Sequence, residues 1–158
     1  LTTETSITLY AKWGNWGNIY LPNANRTGYT FTKWWTSPNN DGIEIDGSGQ
    51  EYQPSAPTTL YAHWTANNYV VTFDPTEGNV EHQTKSVTYG QEYGTLPTPT
   101  HDDYAFIGWF TREGGGSEVK SSTIVTTPSN HTLYAHWKDG KMTLTFNTNL
   151  GYFEDDVP

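Results

Sequence analysis

The chain reads as short stretches of alternating character divided by turn residues. In Leu60-Tyr61-Ala62-His63-Trp64, positions 60, 62 and 64 share one face of an extended strand and 61 and 63 the other, the period of two that a pleated strand imposes. The same split holds at 133–137 and 9–13. Residues 29–36 and 104–111 are rich in aromatics. Strict alternation there sets Phe31, Lys33 and Trp35 against Thr32 and Trp34, and Phe106 and Phe110 against Ile107 and Trp109. Residues 69–74 and 84–90, with turn-forming residues between them, read as a β-hairpin. No stretch sustains an apolar 3.6-residue period with caps, so any helix is short, the one candidate lying within 90–96. The fold class expected is mainly β, or α+β with little helix.

Self-similarity organises these stretches. Leu9-Tyr10-Ala11-Lys12-Trp13, Leu60-Tyr61-Ala62-His63-Trp64 and Leu133-Tyr134-Ala135-His136-Trp137 are three copies of one pentapeptide, each preceded by a threonine. A second element, Leu21-Pro22 followed by residues 29–36, matches Leu96-Pro97 followed by 104–111 without a gap. The closing tryptophans are unevenly spaced, 73 residues from Trp64 to Trp137 but 51 from Trp13 to Trp64. The shorter interval lacks the opening hairpin. The organisation expected is the end of a preceding repeat at 1–13, a repeat without its hairpin at 14–64, a complete repeat at 65–137, and a linker with a further opening strand at 138–158. Residues 65–68 and 138–141 are expected to be short polar linkers.

The pattern resembles the Listeria-Bacteroides repeat, the internalin-type B repeat of bacterial surface proteins. Its elements are a V-T-F-D-like strand, a V-x-Y-G strand, L-P-x-P, Y-x-F-x-G-W and a terminal L-Y-A-x-W. Residues 69–137 match all of them and 17–64 the second half. The resemblance implies small β-grasp-like modules in tandem on secreted or wall-anchored proteins, with spacing or adhesive roles rather than catalysis. It implies an extracellular, wall-associated location through a region outside this stretch.

Composition narrows the partners. The net charge is −9 with only 8 Lys and Arg, so there is no basic patch to neutralise phosphates, and nucleic acid is not expected. No apolar run approaches the ~20 residues of a membrane helix. There are no cysteines, which excludes disulfides and thiolate sites, and leaves aromatic packing as the means of stabilising a small module. The partners expected are neighbouring repeats, and a host surface protein or glycan. No cofactor or metal is expected.

Candidate chemistry is sparse. His63 and His136 occupy equivalent places, but Lys12 stands there in the first copy, which argues for a structural role over a ligand. The acidic groups Asp41, Glu44 and Asp46, Asp102 with Asp103, and Glu154, Asp155 and Asp156 read as solvated turn acids, a weak calcium site being the alternative. Asn25-Arg26-Thr27 and Asn130-His131-Thr132 fit the N-glycosylation sequon, which carries little meaning in a bacterial protein. Tryptophan is the informative type. Trp13, Trp34, Trp64, Trp109 and Trp137, with Leu9, Leu60 and Leu133, recur at matched positions and are expected to form the repeat core. Trp16 and Trp35 break the pattern and are the candidate ligand-binding residues, suited to stacking on a sugar or anchoring a protein.

Overall fold

The computed structural model describes residues 6–9, 19–39, 41–45 and 49–140. The described residues are all β, with no helix. Eleven strands follow one another: β1 (Ser6–Leu9), β2 (Ile19–Tyr20), β3 (Tyr29–Trp35), β4 (Glu44–Ile45), β5 (Glu51–Tyr52), β6 (Thr58–Ala66), β7 (Asn68–Asp74), β8 (Thr84–Thr88), β9 (Tyr104–Phe110), β10 (Glu118–Val119) and β11 (His131–Asp139). They form a four-stranded sheet in the order β1-β6-β3-β4, a five-stranded sheet in the order β10-β9-β11-β7-β8, and the pair β2-β5.

The second sheet is mixed. β7 lies parallel to β11, while β8 on β7, β9 on β11 and β10 on β9 are antiparallel. A parallel pair needs a crossover, which is commonly a helix. Here the connection is irregular. Gly90 and Gly94 take φ of 79° and 67°, the left-handed region that glycine adopts without cost. Their amides bond to Val125 and Ser121, and Tyr93 N–H to Thr123, so the segment is zipped to 121–125 instead of coiling. The short helix expected within 90–96 is absent for this reason.

The core of the second unit lies between the sheet and these loops. Val71, Phe73, Val87, Trp109, Val119, Leu133 and Ala135 come from strands, Tyr93 and Val125 from the connections. Among the described residues the first unit has a buried cluster of Leu21, Trp34, Leu60 and Ala62, flanked by Phe31, Ile45, Tyr52 and Trp64. Leu60 and Leu133 are both 0% exposed.

Strict alternation fails at one place in each sheet. Pairing slips between Phe31 and Lys33 opposite β6, and at the matching point opposite β11, so Thr32 and Ile107 are bulged out of the ladder. The bulge resets the period. Phe31 and Trp34 therefore share the core side, as do Phe106 and Trp109, and the rings meet at 5.4 and 5.5 Å, while Ile107 is left 50% exposed. Thr32 Oγ1 donates to His63 O within its bulge.

The expected linkers are also mostly strand. β6 runs through Ala66 and β7 starts at Asn68, leaving Asn67 as the only residue between them, and β11 continues to Asp139.

Candidate functional site

Matched residues of the two units have matched surroundings. Trp34 and Trp109 are 1% and 2% exposed, and each indole N–H donates to the proline carbonyl of its own Leu-Pro element, Pro22 at 3.2 Å and Pro97 at 2.8 Å. Burying an indole requires an acceptor for its N–H, and the Leu-Pro element supplies it. The recurring Leu21-Pro22 and Leu96-Pro97 elements thus serve as the acceptors that let the two indoles be buried.

The outer sheet faces carry a second repeated arrangement. Trp35 stacks on His63, centroids 5.0 Å apart and planes 16° from parallel, and Phe110 stacks on His136 at 3.9 Å and 9°. Each histidine Nε2 lies against the carbonyl just past the strand, Ser37 O at 3.1 Å and Arg112 O at 2.9 Å. A neutral ring satisfies this contact with its proton on Nε2. Trp35 is half-buried, with one face on histidine. Trp13 and Trp16 lie outside the described residues, as do the Leu9 side chain, Asp46, the opening strand expected at 142–147, and Glu154, Asp155 and Asp156.

The acids do not converge. Glu44 pairs with Lys33, Asp41 accepts from Ser37 Oγ, and Asp74 accepts Thr76 N–H at 2.8 Å. Among the described residues no three His, Asp or Glu side chains are grouped as a metal site. A groove of about 600 Å³ beside His136 is lined in part by Asp74, Glu77 and Glu113 and is open to solvent. Asn130 of the second sequon is structural: its Oδ1 accepts Val70 N–H at 2.9 Å.

His131 and Tyr93 form a polar pair at the edge of the second core. His131 Nδ1 faces Ser129 O at 2.9 Å, so Nδ1 carries the proton and Nε2 accepts from Tyr93 O–H at 2.6 Å. Burial pushes the Tyr93 phenol above its ordinary range. The folded state then holds its proton more tightly than the unfolded chain, so this stabilisation is complete below about pH 10 and is lost as pH rises through the folded value. An ultraviolet titration should show one phenol ionising later than the rest, and Tyr93→Phe should remove that late step.

The junction between the units is held by a dense set of bonds around Asn67. Asn67 N–H donates to Gly28 O at 2.9 Å and Asn67 O accepts from Tyr89 N–H at 2.9 Å. Its Oδ1 accepts from Thr30 Oγ1 at 2.6 Å and its Nδ2 donates to Tyr69 O–H at 3.3 Å. Every polar group of this residue is used. Around it Arg26 sits 3.9 Å above the Tyr29 ring, Tyr29 meets Tyr89 edge-on at 5.5 Å, and Tyr89 meets Tyr69 at 6.5 Å. Gly28 has φ 78°, and a Cβ on it would stand inside the Tyr89 ring. The end of the second unit repeats the first bond of this set, Gly140 N–H to Asp103 O at 3.0 Å. Sequence reading missed the junction, although the recurring Tyr29 and Tyr104 marked it.

Comparison with known proteins places these features in a family. Residues 17–63 and 69–136 each match the Listeria-Bacteroides repeat domain. The chain is 35% identical over 112 residues to Internalin H of Listeria monocytogenes, an alignment covering 71% of this chain and 20% of that protein. It is 32% identical over 146 residues to a protein of Evansella cellulosilytica described as a Gly-rich membrane protein, covering 82% of this chain and 16% of that one. A second protein of that bacterium, described as a membrane protein, is 28% identical over 101 residues, 63% of this chain and 15% of its own length. The chain therefore spans a fifth or less of these relatives. With two consecutive matches across most of its length, it belongs to the Listeria-Bacteroides repeat family.

Proposed function

We propose that this chain is a non-enzymatic segment of a stalk on the bacterial surface, which sets a distance between the cell and whatever the rest of the protein presents or attaches to. The observation that supports it is the Asn67 junction. A flexible tether needs only a polar linker. This one has a single residue between strands, with all its polar groups bonded and a row of aromatic rings across the seam. Such a joint fixes the angle between units and lets repetition build length, as in other repeat arrays. Tyr104, the counterpart of Tyr29, is 42% exposed at the far end of the second unit, where a following repeat would bring its own tyrosine.

The absence of cysteine allows spin labels to be placed uniquely. Labels at Ser55→Cys and Ser122→Cys, both exposed positions, should give a narrow inter-label distance distribution. Insertion of Gly-Gly-Ser after Asn67, or Gly28→Val, should broaden it severalfold. A distribution already broad in the wild-type chain would reject the stalk reading.

A further inference from the structure

The two closing strands are equivalent, yet one tryptophan indole is provided for and the other is not. Trp137 Nε1 donates to Pro75 O at 3.1 Å and to Thr76 Oγ1 at 3.0 Å. Both acceptors lie in the turn that ends β7. That turn is held in an unusual shape: Thr76 has φ 56°, the one non-glycine residue with positive φ among those described, fixed by Asp74 Oδ1 and by its own hydroxyl on Ala135 O. Backbone strain persists where the surroundings demand it, and here it delivers two acceptors to one indole. Trp64 Nε1 is buried and, among the described residues, has no acceptor. A buried donor left unmatched is rare and calls for an explanation.

The register supplies one. β7 pairs with residues 131–134 of β11, Phe73 opposite Leu133. β1 pairs with residues 58–61 of β6, Ile7 opposite Leu60. Since Leu60 is the counterpart of Leu133, β1 occupies the same four-residue slot. It does so in the opposite direction, as the outermost of the described strands of its sheet, whereas β7 is backed by β8. Nor is β1 an opening strand by sequence, because Thr8 and Leu9 belong to a copy of the closing element. Its described pairing runs from Leu9 beside Thr58 to Ser6 beside Tyr61.

We propose that this edge of β6 is a strand-exchange site: it accepts, in trans and parallel to β6, the opening strand of another repeat unit of this family, which displaces β1 and brings its terminal turn to the Trp64 indole. An unpaired or weakly paired sheet edge is the usual receptor for an added strand, main-chain bonds giving affinity and side-chain pockets giving selectivity. The ligand chemistry follows from β7 on β11: two apolar residues at alternate places, as at Val71 and Phe73, then a turn with a carbonyl and a hydroxyl, as at Pro75 and Thr76. The site would join stalks side by side, and it stands independently of the stiffness of the Asn67 junction.

The test uses the whole 158-residue chain, labelled with nitrogen-15, and a synthetic peptide of residues 69–76. Trp64→Phe identifies the Trp64 indole resonance. Peptide addition should shift that resonance and leave the Trp137 indole in place. Adjacent amides of a strand point to opposite edges, so Ile7→Pro with Thr8→Pro removes β1 from the ladder. Freeing the slot should tighten binding by about tenfold or more, since a competing occupant lowers apparent affinity by the fraction of time the slot is open. A peptide of residues 69–74, without the turn, should bind more weakly and leave the Trp64 indole unmoved. If the two prolines unfold the first unit, Ile7→Gly, which weakens β1 and keeps every amide, makes the same comparison. No gain in affinity when β1 is weakened, or binding that never reaches the Trp64 indole, overturns the proposal.

Discussion

Replacing Trp109 with alanine is expected to remove a large part of the stability of the second unit. The ring is 2% exposed, lies 4.9 Å from Phe73 and 5.5 Å from Phe106, and donates to Pro97 O. Truncating a buried tryptophan to alanine costs about 3–5 kcal/mol. A unit of this size has a total stability of only about 4–10 kcal/mol. The loss is aggravated because Trp109 joins the sheet to the Leu96-Pro97 loop, so the cavity cannot close without moving that loop. Circular dichroism and hydrogen exchange would show loss of protection across β7 to β11. Trp109→Phe keeps most of the packing and removes the donor. It should cost about 1–3 kcal/mol through the orphaned Pro97 carbonyl, leaving a folded unit with a lowered melting temperature.

Leu60→Ala and Leu133→Ala are the same change at equivalent sites and should have unequal outcomes. Both side chains are fully buried, and each substitution costs about 2–5 kcal/mol. Leu133 is one of nine buried core residues. Leu60 is one of four buried core residues among those described in its unit, and no pair like β7-β8 is present among the described strands of its sheet. A sheet without that pair has less margin for a missing side chain. Leu60→Ala should melt the first unit under conditions in which Leu133→Ala still leaves the second largely folded. Thermal unfolding followed at individual tryptophan indole resonances resolves the two. Equal shifts would show that the units share their stability across the Asn67 junction.

Much of this fold is visible in the residues, and what is not has identifiable causes. The pentapeptides at 60–64 and 133–137 mark where closing strands lie, because period-two alternation with a terminal tryptophan is a local property of the chain. Leu60 and Ala62, like Leu133 and Ala135, are buried on the side that alternation assigns them. Alternation misassigns Phe106 and Phe31 because a bulge is decided by pairing with another strand, and nothing in Thr32 or Ile107 announces it. The irregular crossover was hidden for a similar reason: Gly90 and Gly94 signal a turn, but only their bonds to 121–125 decide that the segment stays extended. The candidate ligand residue Trp35 was singled out as an oddity of one unit. Its stack on His63 is the counterpart of Phe110 on His136, a likeness that only the cross-strand register reveals. The Trp64 indole needs both units side by side, since its missing acceptor is conspicuous only beside Trp137.

The direction of one strand has a mechanical consequence. In the second unit the chain enters at the start of β7 and leaves at the end of β11, and the two are parallel neighbours. Tension along the polypeptide pulls them past each other and loads all their hydrogen bonds at once, in shear. Ahead of the first unit the chain runs through β1, which is antiparallel to β6, the strand by which it leaves, with Ser6 beside Tyr61. There the same tension draws both strands from one end and opens the bonds one after another, like a zip. Forced unfolding is governed by the barrier to opening rather than by equilibrium stability. A pulled array would yield first where β1 meets β6, lengthening there while the β7-β11 pair holds.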